Sequence, residues 1–362
     1  VISENELRDL AGFVSTGSPA ISLYMDTDLT QQLKEKCKLV LRDLLESVSE
    51  SASDEDLARV ERFFDLEYDW QARGIAIFSA ADQGFWRQYP LTVPIESEMH
   101  TGARLHLRPM TELLAEYEPY AVLLVDRESA RFLLASLGQI EETSEWIGQD
   151  LKRHKQGGFA APRFQRHVDK QAEQNLKTTA EATTRFCQEH HCQGLVLGGA
   201  DETLSQFQEM LPKALRKQIV GTLPFDMTAS PTEVHERSAA LIEAHKHERQ
   251  LKLVDDLVTA AAKGGDAVTG LADTFYVAYQ GRAHTLVVEQ GFEVDGYLCS
   301  ECDYVSADPI DKCPLCGGKP QRIQDAVNRV IHQVIAAGGK VETVADSEGL
   351  AVAGHIGAVL RY

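Results

Sequence analysis

Hydrophobic positions along this chain follow two spacings, one of helices and one of strands. In "QQLKEKCKLVLRDLLESVSES", Leu33, Cys37, Val40, Leu41 and Leu44 recur at steps that bring them to one face, which predicts an amphipathic helix. "PAISLYMDT", "GIAIFSA" and "WRQYPLTVPI" read as strands around it, so residues 1–112 form an α+β segment. From "EPYAVLLVD" the pattern changes. Val122 to Val125 make a short continuous apolar run, and "ARFLLASLG" follows after a turn, which predicts a hairpin in a buried sheet.

A long helix is expected over 168–189, then the strand "GLVLGG" at 194–199. Helical "SQFQEMLPKALRKQI", strand-like "VGTLPFD" and helical "SPTEVHERSAALIEAHKHERQLK" complete an α/β layer over 113–250. Beyond residue 251, "DTFYVAYQ" and "AHTLVVEQ" read as strands. Ile323, Val327, Val330, Ile331, Val334 and Ile335 predict a helix, stopped by Gly338 and Gly339 because glycine takes the left-handed conformation past a C-terminus. The strand "KVETVA" and the apolar "IGAVLRY" close a third α/β segment, 251–362. The expected fold class is α/β and α+β, multidomain, with three domains and a small module inserted at 297–319.

Composition narrows the function. The 362 residues carry a net charge of −19 and are 43% hydrophobic, as in globular proteins with real cores. That charge speaks against wrapping duplex DNA or coating an anionic membrane. No apolar run reaches the ~18 residues of a membrane span, and the acidic, amphipathic "VISENELRDLAGF" does not read as a signal peptide. The expected compartment is the cytoplasm. Residues 1–112 are themselves acidic, with 11 Lys or Arg against 20 Asp or Glu. One stretch runs the other way: residues 152–177 hold seven Lys or Arg and two Asp or Glu.

Of the seven cysteines, Cys37, Cys187 and Cys192 are scattered, and an odd count without a secretory signal speaks against a disulfide framework. Cys299, Cys302, Cys313 and Cys316 form C-x2-C-x10-C-x2-C, two knuckles that each offer two thiolates to one tetrahedral ion. A structural zinc ribbon is expected there. Four thiolates leave no open position, so the metal is read as structural rather than catalytic. Other apparent sites favour plain readings. Glu189 to Gly194 ("EHHCQG") lies at a helix end, where solvated histidines are commoner than ligands. His245 and His247 stand two apart and share no helix face. Asp126, after an apolar strand, reads as a turn aspartate rather than a nuclease carboxylate. "GLVLGG" lacks the later Gly and Lys of a phosphate loop.

The basic stretch is organised around a glycine pair. Arg153, His154, Lys155 and Gln156 precede Gly157-Gly158; Phe159, Arg163, Phe164, Arg166, His167 and Lys170 follow. Glycine tips bring backbone close to a polyanion while a basic stem meets phosphates. A solvated linker with chance charge is the bland alternative. The order "HKQGGFAAPRFQR" resembles the Gly-Gly-Gln loop of archaeal and eukaryotic class-I peptide-chain release factors and their Pelota-like relatives, with Gly157, Gly158, Arg163, Phe164 and Arg166 in register. The resemblance continues through "GLVLGG", the 245–288 region, the four-cysteine ribbon and "IGAVLRY", and covers residues from about 115 to 362 well; "PAISLYMDT" and "GIAIFSA" match loosely.

It implies a ribonuclease H-like middle domain, a ribosome partner met through rRNA and tRNA, and an elongation-factor-type GTPase partner. Two departures bear on function. Neither the family's Asn-Ile-Lys-Ser loop nor its Tyr-x-Cys-x-x-x-Phe motif occurs, so stop-codon reading is not expected. Phe159 stands where the family has the glutamine that helps place the water attacking the peptidyl-tRNA ester. Phenylalanine has no side-chain hydrogen bond to offer. The resemblance therefore implies a ribosome-binding rescue, quality-control or hibernation factor with no catalytic residue assigned, RNA-binding through Arg153–Phe159, Arg163, Arg166 and Lys170. The rival expectation is a peptidyl-tRNA hydrolase or release factor using loop backbone, with Gln156 replacing the missing glutamine.

Overall fold

The computed structural model describes residues 4–136, 138–147 and 161–362, apart from the side chains of 161–168 and of a few residues in the last strand before them. The chain begins with helix α1 (Glu4–Gly12), strand β1 (Ala20–Asp26), helices α2 (Lys34–Ser47) and α3 (Asp54–Arg62), strands β2 (Gly74–Ala80), β3 (Phe85–Leu91) and β4 (Glu98–Gly102), and helix α4 (Arg108–Glu116). The strands form an antiparallel sheet in the order β3-β2-β1-β4. Every residue of β2 is buried, and its two faces feed two different cores. α2 buries Cys37 and Leu41 of the expected stripe. Leu33 stays exposed because it sits before the first helical turn, at the N-cap.

Strands β5 (Tyr120–Val125), β6 (Ser129–Ser136) and β7 (Gln139–Ile147) come next, then helix α5 (Ala161–Glu189), β8 (Gly194–Gly198), helices α6 (Asp201–Met210) and α7 (Lys213–Arg216), β9 (Ile219–Leu223) and helix α8 (Pro231–Ala262). The sheet order is β7-β6-β5-β8-β9. β5, β6 and β7 pair antiparallel, while β8 and β9 run parallel to β5. This is the ribonuclease H-like arrangement that the resemblance implies. β5 is apolar throughout because helices cover both its faces. Ala121, Leu123 and Val125 pack with Leu176, Ala180 and Phe207, whereas Tyr120, Val122 and Leu124 pack with Phe225 and Val234. α5 starts earlier than the expected 168, with Pro162 in the first turn, where its missing N–H costs nothing.

The remaining elements are β10 (Ala267–Thr269), helix α9 (Leu271–Tyr279), β11 (Ala283–Glu289), β12 (Gly296–Cys299), β13 (Val305–Ser306), β14 (Pro320–Ile323), helix α10 (Ala326–Ala336), β15 (Lys340–Val344), helix α11 (Glu348–Val352) and β16 (Ile356–Leu360). They build a sheet in the order β10-β16-β11-β15 and a small one, β13-β12-β14. Two expectations are corrected here. "DTFYVAYQ" is helix α9, whose buried Thr274, Phe275, Val277 and Ala278 follow helical spacing and not alternation. Ile323 ends β14, and the α10 stripe starts at Ala326 under an Asp325 cap that accepts from the Asn328 N–H. Gly338, with φ of 74°, ends α10 as anticipated.

The chain divides into two compact units, Val1–Glu116 with Gln250–Tyr362, and Tyr117–Arg249. In the first, the two ends of the chain share one core: Leu10, Tyr24, Phe78, Leu105 and Met110 pack in a cluster with Phe275, Leu286, Val330 and Ile356. Among the described residues, no helix is long and apolar enough to cross a membrane.

Candidate functional site

The small sheet β13-β12-β14 carries the four cysteines of the expected ribbon. Each knuckle closes on backbone bonds. The Asp303 N–H donates to the Cys299 carbonyl and the Gly317 N–H to the Cys313 carbonyl, both at 2.9 Å. Gly317, with φ of 79°, makes the second turn possible. A Cβ on Gly318 would come 2.8 Å from the Glu301 carboxyl carbon and 3.0 Å from the Cys299 sulfur, so a side chain there would make both shift.

All four sulfurs lie within 4.8 Å of one another, with Cys299–Cys316 at 3.4 Å and Cys302–Cys313 at 3.5 Å. A tetrahedron with Zn–S bonds of about 2.3 Å has sulfur–sulfur edges of about 3.8 Å. The donor set therefore fits one tetrahedral, thiophilic ion. Burial pushes the Cys313 thiol up, but the Cys316 and Leu315 N–H groups outweigh it and bring the group down to about 7. At Cys316 the Gly318 N–H acts to lower the pKa, yet the neighbouring thiols carry it up to about 12. Four thiols so close cannot all ionise unless a cation joins them. The ribbon is anchored to α10: Arg329 pairs with Asp303 in the first knuckle, and Gln333 Nε2 donates to the Asp303 carbonyl at 2.6 Å.

The second expected site falls on α5 and the segment before it. Arg153, His154, Lys155, Gln156, Gly157, Gly158 and Phe159 lie outside the described residues. Arg163 and Arg166 fall in the opening turns of α5, and Lys170 and Lys177, both exposed, continue the same register at steps of seven residues. Facing the core instead are Ala172, Leu176, Ala180 and Phe186, which fix how the helix lies on its sheet. Asp169 pairs with Arg127 at 2.7 Å.

The plain readings of the minor candidates agree with their surroundings. Asp126 Oδ1 accepts from the N–H groups of Glu128 and Ser129 at 2.7 and 2.6 Å, which closes the β5–β6 turn. His245 Nδ1 lies 3.2 Å from the Tyr120 hydroxyl, and His190 packs on Phe186. One group escaped the sequence reading: Glu98, His100 and His106, whose ligand atoms also lie within 4.8 Å of one another. Its only sequence signal is the Glu-x-His pair on one strand face; His106 arrives there through a turn.

With this geometry in view, comparison with known proteins is informative. Residues 106–243, the stretch from just before α4 into α8, match the bacterial archaeo-eukaryotic release factor family 10. Peptide chain release factor subunit 1 of Methanocaldococcus jannaschii is 24% identical over 407 aligned residues, covering 98% of this chain and 96% of that protein. The protein of the same name from Archaeoglobus fulgidus is 24% identical over 296, covering 75% and 72%. Among solved structures, archaeal Pelota from a model of ribosome-bound Pelota and ABCE1 aligns over 99% of this chain and 94% of its own, at 12% identity and a TM-score of 0.46. The similarity in sequence to peptide chain release factor subunit 1 of Methanocaldococcus jannaschii thus spans nearly the whole chain.

Proposed function

We propose that this protein is a release-factor-like translation factor that binds the ribosome without reading a codon, in rescue, quality control or hibernation. The observation that carries the reading is the replacement at position 159: a basic stem and a Gly-Gly pair that match the family, followed by phenylalanine. The stem, Arg153 to Lys170, meets rRNA or the end of a tRNA through phosphates, and Phe159 stacks on a base, worth ~1–3 kcal/mol. Support comes from the charge contrast, since this stretch is basic in a chain of net charge −19. The register of Lys170 and Lys177 extends that charge along an exposed face of α5. Residues 1–112 are acidic and lack the decoding loop, which favours a role without stop codons. The ribbon holds structural zinc on Cys299, Cys302, Cys313 and Cys316, and a GTPase of the elongation-factor type delivers the protein.

The second reading, a peptidyl-tRNA hydrolase, rests on the backbone N–H that Phe159 keeps and on Gln156 nearby. Losing one positioned group of this kind costs on the order of 100- to 1000-fold in rate. Ribosomes carrying labelled peptidyl-tRNA separate the two. The wild type is expected to co-sediment with ribosomes and to release peptide at background rate, whereas Phe159→Gln raises release with no stop-codon preference. Efficient release by the wild type overturns the binding-factor reading in favour of the hydrolase. Failure to co-sediment at low salt overturns both.

A further inference from the structure

Glu98 and His100 stand two residues apart on β4, an edge strand of its sheet, so their side chains leave the same face. His106 comes back to them beyond the turn after Gly102. Its position is fixed by its backbone: the N–H donates to Ser22 Oγ at 2.8 Å and the carbonyl accepts from the Tyr24 hydroxyl at 2.6 Å. One ligand atom from each of the three residues lies within 4.8 Å of the other two. His106 is 6% exposed, and its Nε2 is buried with no hydrogen-bond partner.

The other ring nitrogen of His106 faces a carboxylate, Asp325 Oδ2, at 3.9 Å. Asp325 is held by its role as the α10 N-cap, and that same Oδ2 is buried without a hydrogen-bond partner. Glu112, Glu293 and Asp325 surround a single cation, Arg108, which pairs with Glu293 and lies 3.8 Å from each of the other two. Of these carboxylates, Asp325 is the one that faces the His106 ring. A buried nitrogen lone pair without a donor is a cost that a core histidine does not normally carry.

We propose that Glu98, His100 and His106 bind one divalent transition-metal ion of the zinc type. Two imidazoles and one carboxylate form a donor set that zinc accepts, with the fourth position left to water. This site is separate in donor chemistry from the all-thiolate ribbon.

The geometry sets one requirement. The rings of His100 and His106 stack, with centroids 3.8 Å apart and planes 15° from parallel. Stacked parallel rings cannot both direct in-plane lone pairs at one ion. Binding therefore turns His100, whose side chain is 38% exposed and whose Nε2 lies 3.1 Å from Glu98 Oε2, out of the stack. The ion would then tie the edge strand β4 to the segment leading into α4.

The test uses the full reduced chain, titrated with zinc against a chromophoric chelator and, separately, with cobalt. Two zinc ions per chain are expected in the wild type. Glu98→Gln and His100→Gln, both at part-exposed positions, should each weaken one of them at least tenfold and leave the other unchanged. Cobalt at this site should give d–d bands without the thiolate charge-transfer absorption of the ribbon, and His100→Gln should remove only those bands. Circular dichroism establishes that both variants are folded. Saturation of the wild type at one zinc per chain overturns the proposal. So does a second zinc held equally well by both variants.

Discussion

The ribbon of residues 296–323 and the unit Tyr117–Arg249 are held together in opposite ways. Within the ribbon the buried hydrophobic residues are Cys299, Val305 and Cys313, and two of those three are metal-type ligands. In the other unit, all six positions of β5 are buried, and helices cover both faces of its sheet. A module with so little apolar surface to remove from water needs a cross-link to stay folded. A layered sheet buried on both faces does not.

Metal removal should have the largest effect. Structural zinc contributes apparent binding energies of about 10–16 kcal/mol in small zinc modules, and that energy is folding energy. Chelation, or Cys313→Ser, is therefore expected to abolish amide protection in β12, β13 and β14 while the amides of β5 and β8 stay protected. Hydrogen exchange read by mass spectrometry follows both regions in one sample. A ribbon that keeps its protection without metal would show that its attachment to α10 through Asp303 is sufficient.

The converse experiment attacks the layered unit. Phe207 is fully buried against the β5 side of α6. Phe207→Ala should cost about 3–5 kcal/mol through lost burial and the cavity left behind. Metal stoichiometry should not change. A variant that loses zinc in parallel would mean that the two regions unfold as one.

These contrasts explain what was legible in the sequence. The ribbon was, because its ligands come as two local pairs whose spacing is itself the geometry. β5 was, because a run such as "AVLLV" has few uses other than a strand buried on both faces. Helix α9 was not: a short apolar run bounded by Gly270 and Gly281 fits either period, and only its partners decide. β7 was missed because "QIEETSEWI" is acidic, as suits a strand at a sheet edge. The basic stretch is marked by residue order rather than periodicity, and its glycine pair lies outside the described residues. Glu98, His100 and His106 were invisible because no spacing announces a ligand that a turn brings back.

Charge reversal on α5 tests the second half of the comparison. Arg163→Glu with Arg166→Glu removes two expected phosphate contacts. Ribosome affinity should fall, and the slope of log K against log salt should become shallower by about 2. The Tyr117–Arg249 unit should remain folded, since the core side of α5 is carried by Ala172, Leu176 and Ala180. Co-sedimentation that is unchanged at all salt concentrations would show that the basic register has no role in binding.

The smallest effect concerns the helix that anchors the ribbon. His332 of α10 is 1% exposed, with Nδ1 3.0 Å from the Ala11 carbonyl oxygen and Nε2 2.6 Å from that of Leu105. A neutral ring has one N–H and satisfies one of these carbonyls; a charged ring would satisfy both but loses its water. Burial, aided by Arg104, lowers the pKa and outweighs the pull of the two carbonyls. The folded value therefore lies below the unfolded one of about 6.5. A group shifted down in this way leaves stability intact above about pH 6.5, and stability falls as acid protonates the unfolded chain first, by up to about 1.4 kcal/mol per pH unit. Urea unfolding of wild type and His332→Gln at pH 7 and pH 5.5 isolates this histidine from the others. The wild type should lose more stability than the variant over that interval, in the transition of the unit containing α10 and not in that of Tyr117–Arg249. Parallel losses would mean that His332 is not shifted. A smaller loss in the wild type than in the variant would mean that the two carbonyls hold the charged ring, and that α10 is tightened by acid.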